Sequence, residues 1–141
     1  MGYTHYWEIN GELDRDEFGA WALDVKAIAR AAGNCGITIR GWNGESTTAP
    51  EFNDAEISLN GYGEDSHESF IIGQMDRGFS FCKTARKPYD QVVTAALCLL
   101  AARFGDRVKV SSDGTVGDWQ NGLNLARRRD PLAVIPAGVS C

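Results

Sequence analysis

The sequence predicts an α+β domain from three observations. Apolar residues recur every three or four positions in two long stretches, and they alternate at every second position in several short ones. Between these stretches lie turn signals: Asn10-Gly11, Gly41-Trp42-Asn43-Gly44 and Asp76-Arg77-Gly78. The predicted order is β-α-β-β-β-β-α-β-α, a mixed or antiparallel sheet of about five or six strands with two long helices packed on one face. At 141 residues, 43% hydrophobic and 23% charged, the chain has the length and composition of one globular domain.

Each element has its own reason. From Tyr3 to Ile9 the chain is aromatic and β-branched, with Tyr3, His5, Trp7 and Ile9 on one side and Thr4, Tyr6 and Glu8 on the other, as in a strand. After Asn10-Gly11, acidic Asp14, Asp16 and Glu17 suit the positive end of a helix dipole. Phe18, Trp21, Ala22, Val25, Ile28, Ala29 and Ala32 then form a helical stripe that Gly33 is placed to end. Residues 37–40 and 56–60 read as strands, separated by a polar loop from Glu45 to Ala55. Gly61 to Ser66 is an acidic hairpin loop with two glycines that let backbone approach a ligand. Residues 69–72 and 79–83 predict an antiparallel hairpin turning at Asp76-Arg77-Gly78.

A second helix begins at Pro88. Val92, Val93, Ala96, Leu97, Leu100, Ala101 and Phe104 give it a wide apolar stripe, and Gly105 ends it. Val108 to Val110 is a short strand. A last helix starts near Asp118, with Trp119, Leu123 and Ala126 on one side, and Arg127, Arg128 and Arg129 at its end suit the dipole. Pro131 stops it, leaving residues 131–141 as an extended tail that crosses a neighbouring subunit or frays.

Function is most legible between Phe79 and Asp90. Lys83, Arg86 and Lys87 crowd the approach to the second helix, where the dipole repels cations. A phosphate or carboxylate resolves that conflict by taking the first-turn N–H groups, the Thr84 hydroxyl and the three cations together. Net charge is −5, so duplex nucleic acid and anionic membrane are not expected partners, and three cations in one short window of an acidic chain favour a local anion site. Tyr89 beside Pro88 and Trp7 on the first strand are the aromatic faces expected to stack on a nucleotide-like ligand. A solvated basic turn meeting an acidic protein partner is the alternative.

Catalytic options are narrow. Of the two histidines, His67-Glu68-Ser69 fits one half of the paired H-x-[ST] pattern of a metal-independent phosphodiesterase, whereas His5-Tyr6-Trp7 does not. If the chain is an enzyme, His5 and His67 are the acid and base. Neither has ligands at metal-binding spacing, so no metal and no cofactor is expected. Phosphate-loop, dinucleotide and nucleophile-elbow motifs are missing. Cys35, Cys82, Cys98 and Cys141 form no C-x-x-C pair, and with no apolar run of membrane-spanning length they point to a reducing, cytoplasmic setting.

Together Tyr3-Thr4-His5-Tyr6-Trp7, Phe81-Cys82-Lys83-Thr84-Ala85-Arg86-Lys87-Pro88-Tyr89-Asp90 and Ser112-Asp113-Gly114 followed by Trp119 resemble a family of small uncharacterised proteins of bacteriophages and bacteria. The resemblance implies a setting, the cytoplasm of a host cell. Small phage proteins of this type include sponges that sequester nucleotide signals of bacterial immunity and enzymes that cleave them. The leading expectation is therefore a homo-oligomeric sponge for a phosphate-bearing, nucleotide-derived small molecule, with Lys83, Thr84, Arg86 and Lys87 at the phosphate. A phosphodiesterase cleaving a cyclic nucleotide is the contrasting one.

Overall fold

The computed structural model describes residues 3–141. In chain order the elements are β1 (Thr4–Ile9), α1 (Arg15–Asn34), β2 (Glu51–Phe52), β3 (Glu56–Leu59), β4 (Phe70–Gly73), β5 (Gly78–Lys83), α2 (Asp90–Phe104), β6 (Val108–Ser112) and α3 (Gln120–Ala126). The class and the order of strands and helices are those the sequence predicts. The one sheet of five or six strands expected from the sequence is instead two antiparallel sheets of three, in orders β5-β1-β6 and β2-β3-β4.

β1 is the middle of the first sheet, pairing antiparallel with β5 on one side and β6 on the other. β5 and β6 therefore run parallel to each other, and α2 connects them. The alternation of β1 sorts its side chains. His5, Trp7 and Ile9 are buried with Cys82, Val108 and Val110, and the apolar ones among them belong to the same core as the stripes of α1 and α2. α1 has 20 residues and α2 has 15. Ten residues of α2 are buried, so this helix runs through the core rather than over it. Trp21 of α1 donates its indole N–H to the Ala96 carbonyl of α2 at 2.9 Å, fixing the two helices together.

Several boundaries differ from expectation for local reasons. Residues 37–40 form no strand beyond a single bridge from Arg40 to Asn60. β2 lies instead inside the stretch expected to be loop, because the Asn53 side chain accepts from the N–H groups of Ala55 and Glu56, each at 2.9 Å, and turns Glu51–Phe52 back onto β3. α1 passes through Gly33, and Gly36 at φ +90° carries the left-handed turn after it. Pro88 and Tyr89 form a turn ahead of α2, with the Asp90 N–H donating to the Lys87 carbonyl at 2.9 Å. α3 begins past Asp118, whose carboxylate accepts from the Thr115 N–H at 2.9 Å in the preceding turn.

The expected hairpin of residues 69–72 with 79–83 is replaced by pairing of β4 with β3 and of β5 with β1. In the connection between them the Gln74 N–H donates to the Ala55 carbonyl at 2.9 Å, and its side chain donates to the Leu13 carbonyl at 2.6 Å. β4 and β5 approach only where the Glu68 N–H donates to the Lys83 carbonyl and the Lys83 N–H to the Glu68 carboxylate. The tail also differs: the Val116 N–H donates to the Ser140 carbonyl at 2.8 Å, and Ala133 and Val139 are buried, so residues 131–141 pack on their own chain.

Gly122 of α3 sits on Thr94 of α2, where a Cβ would overlap the threonine hydroxyl. Gly122→Ala is expected to destabilise the protein by about 1–3 kcal/mol through overpacking, read as a lower urea midpoint at unchanged slope.

Candidate functional site

The basic turn is a tight one. The Lys87 N–H donates to the Thr84 carbonyl at 3.0 Å, and Ala85 and Arg86 both have left-handed backbones, with φ of 53° and 60°. That conformation costs a non-glycine residue roughly 1–2 kcal/mol. Contacts to three other parts of the chain hold it. The Ala85 N–H donates to the Tyr3 carbonyl at 3.2 Å. The Arg86 guanidinium lies 4.0 Å from the centre of the Tyr3 ring and bonds the Asp118 carboxylate at 3.1 Å. Thr84 is buried, and its hydroxyl donates to Asp90 at 2.6 Å.

The charge conflict read from the sequence is thus met within the chain for two of the four residues expected at a phosphate. Asp118 neutralises Arg86, and Asp90 at the start of α2 occupies the Thr84 hydroxyl. Lys83 and Lys87 form no ion pair among the described residues.

Asp90 belongs to a buried network centred on His5, which is 0% exposed. The Ser112 hydroxyl oxygen accepts from the Trp119 indole N–H at 3.1 Å and from the Gly114 N–H at 2.9 Å. Both lone pairs are then filled, so the hydroxyl hydrogen points to His5 Nδ1 at 2.7 Å. The ring proton accordingly sits on Nε2, which donates to Asp90 at 2.6 Å. Tyr3 and Trp119 pack edge-on against the imidazole, with centroids 5.0 and 5.1 Å away. Neither ring nitrogen has a lone pair or proton to offer a ligand. His67 is exposed, its backbone held by the Asn60 side chain at 3.0 and 2.9 Å. One histidine is in the core and the other on the surface, so they do not form a facing pair.

The two expected stacking residues are also interior. Trp7 packs edge-on against Phe70 with centroids 5.3 Å apart. Tyr89 is fully buried, its hydroxyl donates to the Glu68 carbonyl at 2.5 Å, and burial pushes its phenol far above the usual range. Burial likewise pushes the Cys82 thiol up to about 12, which rules out a reactive thiolate beside Lys83.

Trp42 and Tyr62 are exposed on loops, and a cluster of exposed rings stands on the face of the first sheet that turns away from the helices. The β1 pairings place Phe79 beside Glu8 and Lys109 in one row, Phe81 beside Tyr6 and Ser111 in the next, and Lys83 beside Thr4 in the third. Phe79 is 65% exposed and Phe81 53%. Tyr6 stacks on Phe79 with centroids 5.9 Å apart, and Phe79 lies 6.4 Å from Phe81. The Tyr6 hydroxyl donates to Asp113 at 2.9 Å, a bond that raises its pKa, and the other Asp113 oxygen accepts from the Thr4 N–H at 3.1 Å. Sequence reasoning missed this wall. Its signal was the alternation of Phe79, Phe81 and Lys83 around the small polar Ser80.

Cavity sizes favour the wall over the basic turn. A hollow of about 320 Å³ beside the wall is lined by Tyr6, Glu8, Phe79, Lys109, Ser111 and Gly138, with Phe81 and Lys83 outside it. The cleft at the turn, between Arg86, Lys87, Asp90 and Asp118, is only about 190 Å³; small-molecule sites start near 300 Å³. The Gly61–Ser66 loop borders a larger hollow of about 650 Å³, but Glu45, Glu64 and Asp65 give it the wrong sign for phosphate. Among the described residues no group of three or more His, Cys, Asp or Glu is placed to hold a metal ion. Among the described residues no helix is long and apolar enough to cross a membrane. No protein-family model matches the chain, and no curated protein or solved structure matches it either.

Two predictions test the frame. His5→Ala leaves Ser112 and Asp90 short of a buried partner, and the expected loss in urea unfolding is on the order of 2–5 kcal/mol. Asp118 has its pKa lowered by the Thr115 N–H and then by Arg86. A depressed folded pKa means that this contribution is full above the ordinary carboxylate range and is lost as pH falls through the folded value. Asp118→Asn should therefore be less stable than wild type at neutral pH, with the gap closing in acid. A gap independent of pH would show that the carboxylate charge does not hold the turn.

Proposed function

We propose that the chain binds and sequesters a phosphate-bearing, nucleotide-derived small molecule on the open face of the β5-β1-β6 sheet. The base lies against Phe81 and Tyr6, and the phosphate lies toward Lys83, with Lys87 in the turn that follows. The observation that carries this reading is the alternation along β5: two exposed rings and a cation without an ion pair share one face of one strand. Base-on-ring stacking contributes about 1–3 kcal/mol per base, and a charge-assisted contact to phosphate about 1.5–3 kcal/mol. In this reading Thr84 and Arg86 frame the turn rather than touch phosphate.

Sequestration is favoured over cleavage because His5, one half of the acid–base pair a metal-independent phosphodiesterase would need, has both nitrogens engaged inside the core. The resemblance to phage proteins supports a sponge for a nucleotide signal of bacterial immunity.

Calorimetric titration with cyclic and linear nucleotides tests the reading. Lys83→Ala should weaken the best ligand roughly ten- to a hundredfold, and heating the complex should return the ligand unchanged. Replacing both His5 and His67 by Gln should leave capture per folded molecule intact. Hydrolysed ligand after heating the wild-type complex, with none from the double variant, would establish the phosphodiesterase instead.

A further inference from the structure

We propose that the same sheet face is a platform for single-stranded nucleic acid, with successive bases stacked on Phe79 and Phe81 and a third ring, Tyr6, beside them. This rests on the nucleotide-binding reading of that face and extends it from one nucleotide to a strand.

The wall is larger than one base requires. Three rings stand with neighbouring centroids 5.9 and 6.4 Å apart, two of them more than half exposed, on a face that the tail borders at Gly138. A single base against Phe81 and Tyr6 leaves Phe79, the most exposed of the three, in water. The order along the strand is a second, independent observation. Arg77-Gly78-Phe79-Ser80-Phe81 reads basic, glycine, aromatic, small, aromatic, and four of its five residues fit the start of the motif by which sheet-face binders display rings to unstacked bases. That motif acts beside a first strand that adds a further ring. β5 does lie beside β1, and Tyr6 stands directly across from Phe81.

Charge fits a strand held mainly by stacking. Lys83 and Lys109 stand at opposite corners of the face. The carboxylates at this face are Asp113, which accepts from Tyr6 and Thr4, Glu8 between Phe79 and Lys109, and Glu68, which accepts from the Lys83 N–H at the β5 edge. The net charge of −5 works against a binder that relies on phosphate contacts, and a duplex keeps its bases stacked away from the rings.

The test is fluorescence anisotropy with six-nucleotide oligouridylate and oligothymidylate, alongside competition by the mononucleotides UMP and TMP. The expected result is that at least one oligomer binds tenfold or more tighter than its mononucleotide. Phe79→Ala and Phe81→Ala should each weaken it roughly tenfold while circular dichroism and melting stay those of the wild type. A plot of log affinity against log salt should have a slope of about −1.4 for two phosphate contacts, and Lys83→Ala or Lys109→Ala should each flatten it by about 0.7. The two oligomers separate RNA from DNA as the source. Mononucleotides binding as tightly as oligomers, or an oligomer indifferent to Phe79→Ala and Phe81→Ala, would overturn the platform and leave the small-molecule reading standing. If no oligomer binds, the platform falls, and the titration with cyclic and linear nucleotides decides the small-molecule reading separately.

Discussion

His5 is the point at which the fold is tied together. Its two ring nitrogens join β1 to Ser112 at the end of β6 and to Asp90 at the start of α2, and the same serine takes the indole of Trp119 just before α3. Asp90 in turn holds Thr84 of the basic turn. Three stretches far apart in sequence thus meet at one polar cluster in which every hydrogen has one place to go. Such a cluster specifies a unique arrangement because any shift leaves a desolvated donor or acceptor unpaired.

The strained turn depends on this tie. Two consecutive non-glycine residues in the left-handed region persist where surrounding contacts over-determine them. Here the anchors are Thr84 on Asp90, Ala85 on the Tyr3 carbonyl and Arg86 on Tyr3 and Asp118. The turn carries the chain from the end of β5 into α2 with Arg86 folded inward over Tyr3. The cations left without an ion pair are Lys83, on the strand, and Lys87, at the turn's last position.

The division of the strands into two sheets decides what the first sheet displays. Gln74 draws the β4–β5 connection toward Ala55 and Leu13, so β4 pairs with β3, and β5 is an edge strand for most of its length. An edge strand bearing two phenylalanines exposed to water is a liability unless the face has a use. The functional proposals rest on that tension: the helices cover the inner face, while the outer one keeps its rings in water.

What the sequence determined by itself was local. Periodicity placed β1, both long helices and the order of elements, because burying one face of a strand or helix imposes its spacing on the residues. The alternation of β1 even separated Trp7 from Tyr6 correctly. The role of each face was decided only by tertiary structure. Trp7 and Tyr89 looked suited to stacking as ring types, yet both lie in the core, since nothing in a strand's own sequence says which side the helices will cover. The basic turn looked like a demand for an outside anion because Asp118, which meets that demand, is 32 residues away and invisible to any local pattern. His5 carries the same lesson: its partners are 85 and 107 residues distant, and only their convergence turns a candidate acid–base group into a fully bonded core residue.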